Sequence, residues 1–287
     1  MTKLYIIGNG FDLWHKLPTG YDRFYVFAKD MLDELEWFFS FDIVNKGPWC
    51  NFENSLGRFE WSQFYQAHNH IDIASDSFKP SLVYGLEDDL TEQSDHLVEG
   101  VREAFLNWIS EIDVSVASPE VVFPKDSIFI TFNYTSTLQT IYGISDERIF
   151  HIHGRAEISE ELIFGHGETM EEEPELDEWG ESNRTMFSDA EGAAKYPFYA
   201  LKKPGNELLE KNQERFESLA NISEIVVLGH SLNDIDLPYF SKVAEFASNA
   251  RWLVCYYKEE EEGFLVEQLL RCGIQRESIR TSPCANL

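Results

Sequence analysis

Leu4-Tyr5-Ile6-Ile7-Gly8-Asn9-Gly10-Phe11-Asp12 begins the chain with an apolar run that breaks into a glycine turn. An early hydrophobic strand ending in Gly-x-Gly predicts an open α/β sheet, with the turn at the strand's carboxyl end, where such sheets bind nucleotides. Glycines let a backbone approach a phosphate closely, and the helix that follows offers amide donors to it. On this reading Gly10→Val blocks a ligand and leaves the fold largely intact. A full dinucleotide fingerprint needs a third glycine, and Leu13 stands there instead, which disfavours a dehydrogenase.

Three later segments end candidate strands in polar residues: Thr131-Phe132-Asn133-Tyr134, His151-Ile152-His153-Gly154 and Gly229-His230-Ser231-Leu232-Asn233-Asp234. Strands are expected at Lys3–Ile7, Ser127–Phe132, Arg148–Ile152, Leu162–Phe164, Glu224–Leu228 and Arg251–Tyr256. Several are almost continuously apolar, as in parallel strands buried on both faces. Helical periodicity marks Tyr21–Phe39, Leu90–Ile112, Glu207–Leu219, Pro238–Ala247 and Glu260–Cys272. The expected organisation is a core of residues 1–20 and 125–287, with a mainly helical insertion or subdomain over 21–124. Between Gly167 and Pro204 no sheet strand is expected. The acidic stretch Glu168–Glu181 reads as a solvated loop or lid in preference to a metal site.

The 287 residues carry 51 acidic and 23 basic side chains, a net charge of -28. Such a field repels polyanions, so a broad nucleic-acid surface is not expected. It leaves room for a small anionic ligand. Cys50, Cys255, Cys272 and Cys284 show no CxxC pair, so they read as free thiols in a reducing compartment and no metal centre is expected. No signal-peptide core and no membrane-length apolar run is present, so a soluble, cytoplasmic protein without a membrane partner is expected.

The order of these segments resembles the sirtuin signature. Gly8-Asn9-Gly10 with Leu17-Pro18 stands for the Gly-Ala-Gly turn and its Ile-Pro pair. Thr131-Phe132-Asn133 resembles Thr-Gln-Asn, His153-Gly154 resembles the catalytic His-Gly, and Gly229-His230-Ser231 resembles the late Gly-Thr-Ser. The wording is closer still to the AbiH family of phage abortive-infection proteins. Its motifs are matched by Ile6 to Thr19, Phe132 to Thr135, His151 to Gly154 and Gly229 to Asp236, with Trp49 to Leu56 as a further match. The resemblance implies phage defence and a Rossmann-like, sirtuin-like α/β core, a mainly parallel sheet with a large helical insertion. It also implies a nucleotide ligand, and it leaves open a phage-derived trigger and a homo-oligomer. The four-cysteine zinc module of deacetylating sirtuins is missing, and Thr135 replaces their usual Asp, so zinc and protein deacylation are not expected. Defence-associated sirtuin-like domains hydrolyse NAD, and that is the activity the resemblance implies.

The residues suit that chemistry. Asn133 has a donor and an acceptor to orient a water or a ribose hydroxyl. His153 titrates near neutrality and can accept a proton. These two are the expected catalytic residues. Gly8, Asn9, Gly10, Phe11, Asp12, Thr131, Tyr134, Gly154, Gly229, His230, Ser231 and Asp234 are the expected nucleotide-binding set. Asp12 either orients ribose or caps the first helix. His151 reads as structural. Glu53 reads as a surface helical residue, with a second active-site carboxylate as the alternative. Two other readings compete: a non-catalytic sensor of NAD or ADP-ribose, and a metal-dependent phosphohydrolase. The second ranks low, because no Asp-x-His follows the first strand.

Overall fold

A computed structural model describes residues 2–41, 49–158, 160–172 and 174–287. The chain divides into two compact units. The first comprises Met1–Arg23, Leu106–Ile163 and Pro204–Leu287, and the second Phe24–Phe105 and Phe164–Lys203.

The first unit is an α/β layer structure around a six-stranded sheet of order β3-β2-β1-β4-β5-β6. The strands are β1 Lys3–Ile7, β2 Ile128–Thr131, β3 Ile149–His151, β4 Glu224–Leu228, β5 Arg251–Tyr256 and β6 Ile279–Pro283. Every neighbouring pair is parallel. This order reverses direction between β1 and β4, which makes their carboxyl ends the crevice where ligands of such sheets bind. Alternate residues face opposite layers. Leu4, Ile6, Ile130, Ile225, Val227, Trp252 and Val254 pack with Phe240, Val243, Leu265 and Leu269 on one face. Tyr5, Ile7, Phe129, Val226, Leu228 and Cys255 pack with Phe11, Leu138 and Cys284 on the other. Burial on both faces is why these strands read as unbroken apolar runs.

Register fixes which residues share the rim. Ile7 pairs with Thr131 and with Leu228, and Thr131 pairs with His151. The next residues along each chain are therefore level with one another: Gly8, Phe132-Asn133, Ile152-His153 and Gly229-His230.

Two strand expectations need correction. Leu162–Phe164 forms no strand; the Ile163 N–H donates to the His153 carbonyl (2.9 Å), and the Ile163 carbonyl accepts from the Tyr134 hydroxyl (3.1 Å). The sixth strand is instead Ile279–Pro283, an edge strand whose sequence, Ile-Arg-Thr-Ser-Pro, has a single large aliphatic residue. An edge strand buries little and tolerates proline, so it lacks the apolar signature of its neighbours.

In the second unit aromatic side chains dominate the packing. Phe52 lies 4.6 Å from Phe24 and 5.7 Å from Phe105, and Phe105 lies 4.3 Å from Phe164, between ring centroids. The expected helix Tyr21–Phe39 is broken into Tyr21–Phe27 and Lys29–Leu35. The long helix runs over Ser81–Ser110, thirty residues, and begins just after Pro80. Within the region Gly167–Pro204, where no sheet strand is expected, Ser188–Ala200 is helical. In the acidic stretch, Glu173 lies outside the described residues, as do residues 42–48 of the insertion. Among the described residues no helix is long and apolar enough to cross a membrane.

Candidate functional site

At the β1–β4 crevice the two glycine turns meet main chain to main chain. The Gly8 N–H donates to the Leu228 carbonyl (3.0 Å), the Gly10 N–H to the Gly229 carbonyl (2.7 Å) and the Phe11 N–H to the Gly8 carbonyl (2.9 Å). A Cβ on Gly8 would lie 2.6 Å from His230 Cα, and one on Gly10 2.8 Å from the Gly229 carbonyl oxygen. Gly229 has φ +64°, and a Cβ there would lie 2.1 Å from the Phe11 nitrogen. The glycines are thus demanded by the fold's own backbone contact, and three of the turn's amides donate inside the protein. The expectation that Gly10→Val spares the fold is corrected on this ground. Asn9 is exposed and its side-chain amide donates to the Thr19 carbonyl (2.7 Å). Phe11 is a core residue.

Asp12 neither caps its helix, Asn9–Trp14, nor faces solvent. It is 1 % exposed and makes no side-chain cap. Its carboxylate accepts from the hydroxyls of Thr135 (2.6 Å) and Thr137 (2.7 Å) across the rim. Burial pushes its pKa up, against the lowering effect of its hydrogen-bonding neighbours, Thr135 and Thr137 first. Asn133 is 5 % exposed, and its Oδ1 is buried without a hydrogen-bond partner. The Thr131 hydroxyl accepts the Asn133 N–H (3.1 Å), so it shapes the turn that presents Asn133. Tyr134 donates its hydroxyl to the Ile163 carbonyl (3.1 Å).

His151 braces the same turn. Its Nδ1 lies 3.1 Å from the Asn133 carbonyl and its Nε2 2.9 Å from the Gln139 amide nitrogen. A carbonyl only accepts and an amide NH2 only donates, so the ring is neutral with its proton on Nδ1. Burial lowers its pKa to about 4. This is a structural histidine.

His153 belongs to a separate cluster. It is 2 % exposed, and Gly154 (φ +83°) turns the chain directly behind it. Its Nε2 lies 4.0 Å from Asp236 Oδ1, and His230 Nε2 lies 3.6 Å from Asp236 Oδ2. One carboxylate therefore stands between two imidazoles. The His230 Nδ1 accepts the Leu232 N–H (2.9 Å), which leaves the ring's proton on Nε2, toward Asp236. The Phe132 ring packs edge-on against both, at 5.2 Å from His153 and 4.4 Å from His230. Tyr239 packs against His153 at 5.6 Å.

The expected set takes Asp234 of the two aspartates, and the structure turns Asp236 toward His153 and His230. Asp234 is exposed and bonds Arg271 (2.5 Å) and Gln268 (3.0 Å). Asp236, two residues on, turns inward and was left out of the expected set. Asp236 stands at the cap position before Leu237-Pro238 and makes no side-chain cap bond. Ser231 is exposed at the rim. In the second unit Glu53 is mostly buried and bonds Lys203 (3.4 Å), so it is not a surface helical residue.

The arrangement offers an acceptor at Asn133 and an acid–base cluster at His153, Asp236 and His230, all on one edge of a parallel sheet. Among the described residues no group of three or more His, Cys, Asp or Glu side chains is arranged to hold a metal ion. The chain matches no curated protein and no solved structure. Residues 4–256 match the family described as Bacteriophage abortive infection AbiH, and the match takes in β1 through β5 with all the motifs of the rim. The chain belongs to the AbiH family of bacteriophage abortive-infection proteins.

Proposed function

We propose that this phage-defence protein binds NAD at the carboxyl-end rim of β1 to β4 and hydrolyses its nicotinamide–ribose bond. The observation that carries the reading is the register that sets Asn133, His153 and His230 level at a strand-order reversal, with Asp236 between the two imidazoles. In the reaction the ribose C1′–N bond breaks and nicotinamide leaves with the electron pair. A C1′–O bond forms from water, and the water's proton passes to His153. Asp236 stabilises the resulting imidazolium, and the products are nicotinamide, ADP-ribose and one proton. Asn133 orients the water or a ribose hydroxyl. The glycine turn contributes shape: it seats β1 against β4 and leaves Asn9 and Ser231 exposed beside the ligand's path.

A second reading, a sensor that binds NAD or ADP-ribose without turnover, is favoured by the burial of His153 and His230 at 2 % and 6 % exposure. Incubation of the purified protein with NAD, with nicotinamide followed by chromatography, separates the two. Release of nicotinamide that falls on the order of 10²-fold in His153→Ala supports hydrolysis. Calorimetric binding without release supports the sensor. Neither binding nor release rejects both.

A further inference from the structure

The turn after β4 holds a strained residue. Leu232 has φ +52° and is fully buried, a conformation that a bulky side chain adopts only at a cost. Its N–H and its carbonyl are both held by side chains. The His230 Nδ1 accepts the Leu232 N–H (2.9 Å), and the Gln268 amide donates to the Leu232 carbonyl (2.8 Å). His230 is itself clamped. A Cβ on Gly8 would lie 2.6 Å from its Cα, and its ring lies 4.4 Å from Phe132 and 4.9 Å from Phe240. An imidazole that accepts at Nδ1 carries its proton on Nε2. Protonating Nδ1 would set two N–H donors against each other inside the turn. His230 is therefore held neutral, with Nε2 facing Asp236 Oδ2 (3.6 Å). The other oxygen of that carboxylate, Oδ1, faces His153 Nε2 (4.0 Å). Around the His153 ring Asp236 is joined by the phenols of Tyr134 (6.2 Å) and Tyr239 (5.6 Å). A charged His230 would compete with His153 for one negative charge. A neutral His230 orients the carboxylate and leaves its charge to His153.

We infer that His230 is a positioning residue: the Leu232 turn locks it as a neutral imidazole, and through Asp236 it prepares His153, the imidazole of the pair that takes up a proton. This rests on the acid–base role given to His153 above, and it removes His230 from the groups that touch the nucleotide.

Two measurements test it, and the first needs no ligand. Long-range 1H–15N NMR reads the protonation of each imidazole nitrogen. Across about pH 5 to 8, His230 is expected to keep one proton, on Nε2, while His153 gains its second. A His230 that carries its proton on Nδ1, a His230 that becomes doubly protonated before His153, or a His153 that stays neutral throughout overturns the inference. The second measurement is nicotinamide release from NAD by His230→Asn. The asparagine oxygen can replace Nδ1 beneath Leu232, and the shorter side chain puts nothing in the place of Nε2. This variant is expected to keep KM and to lose about tenfold in kcat, the order of one contact to a charged group. A raised KM with kcat kept returns His230 to the nucleotide and overturns the inference, as does an unchanged kcat. If the variant does not fold by circular dichroism, the wild-type spectra decide. Wild type that releases no nicotinamide ends the hydrolysis reading, and the spectra then decide the division of labour between the two imidazoles by themselves.

Discussion

At the junction of β1 and β4 the glycine turns touch main chain to main chain, whereas at the ends of β2 and β3 the same rim is filled by side chains that bond one another. The first half has almost no room: added Cβ atoms at Gly8, Gly10 and Gly229 would fall within 2.1 to 2.8 Å of backbone. The second half holds Thr135 and Thr137 against Asp12, His151 against the Asn133 carbonyl and Gln139, and His153 beside Asp236. One half sets the geometry of the rim, and the other carries its chemistry. A glycine motif at a strand end therefore reports close backbone approach, and whether the approaching backbone belongs to a neighbouring turn or to a ligand is a separate matter.

The hardest test of this contrast is Gly229→Val. It adds a clash with the Phe11 nitrogen and forces a branched side chain into positive φ. The expected cost is about 3 kcal/mol or more, read as a lower urea midpoint or loss of folded protein. A Gly229→Val protein that melts like wild type would show that the turns separate freely, and the contrast would collapse.

The side-chain half should show itself through pH. His151 titrates near 6.5 when unfolded and is held at about 4 in the fold by burial. Between those values the unfolded chain binds the extra proton. The stabilisation is therefore fully present above pH ~6.5 and is lost as pH falls toward ~4, by about 3 kcal/mol in all. His151→Gln keeps a donor and an acceptor but cannot titrate. Urea denaturation of both proteins from about pH 4.5 to 7 should give curves that diverge on the acid side. Parallel curves would mean that the imidazole is not held neutral.

The smallest effect is expected from Tyr257→Phe. This hydroxyl donates to the Gly10 carbonyl (2.8 Å) from the exposed side of the turn. Removing it should cost about 0.5–1.5 kcal/mol, measured by thermal melting. Turnover or binding of NAD should change little, because the β1–β4 contact does not depend on it. A large loss would place the support of the glycine turn in side chains after all.

Much of the sheet was legible. Lys3–Ile7, Glu224–Leu228 and Arg251–Tyr256 are strands over the expected residues, because central parallel strands need apolar side chains on both faces. The edge strand Ile279–Pro283 was not, since its outer side asks nothing apolar of it. The start of the long helix at Ser81 was missed by nine residues, although Val83 and Leu86 continue the stripe of Leu90 at helical spacing. In the site, His153 and Asn133 stood out by their place after strands. Asp236 was hidden by Asp234, because two acids two positions apart look alike until the chain's turn aims one at His153 and the other at Arg271.

By itself the sequence determined the strand–turn–strand grammar of the chain, the placing of polar residues at strand ends and the family to which the chain belongs. These are local properties, written in runs of apolar residues and in short motifs. Tertiary structure alone decided the strand order, the register that levels the four strand ends, the pairing of Gly10 with Gly229 and the burial of Asp12 against Thr135 and Thr137. Each of those depends on residues in different segments of the chain, and a hydrogen bond between them leaves no trace in either segment's own composition. Asp12 is the plainest case: its neighbours in the chain suggest a cap, and its neighbours in space make it the anchor of the opposite turn.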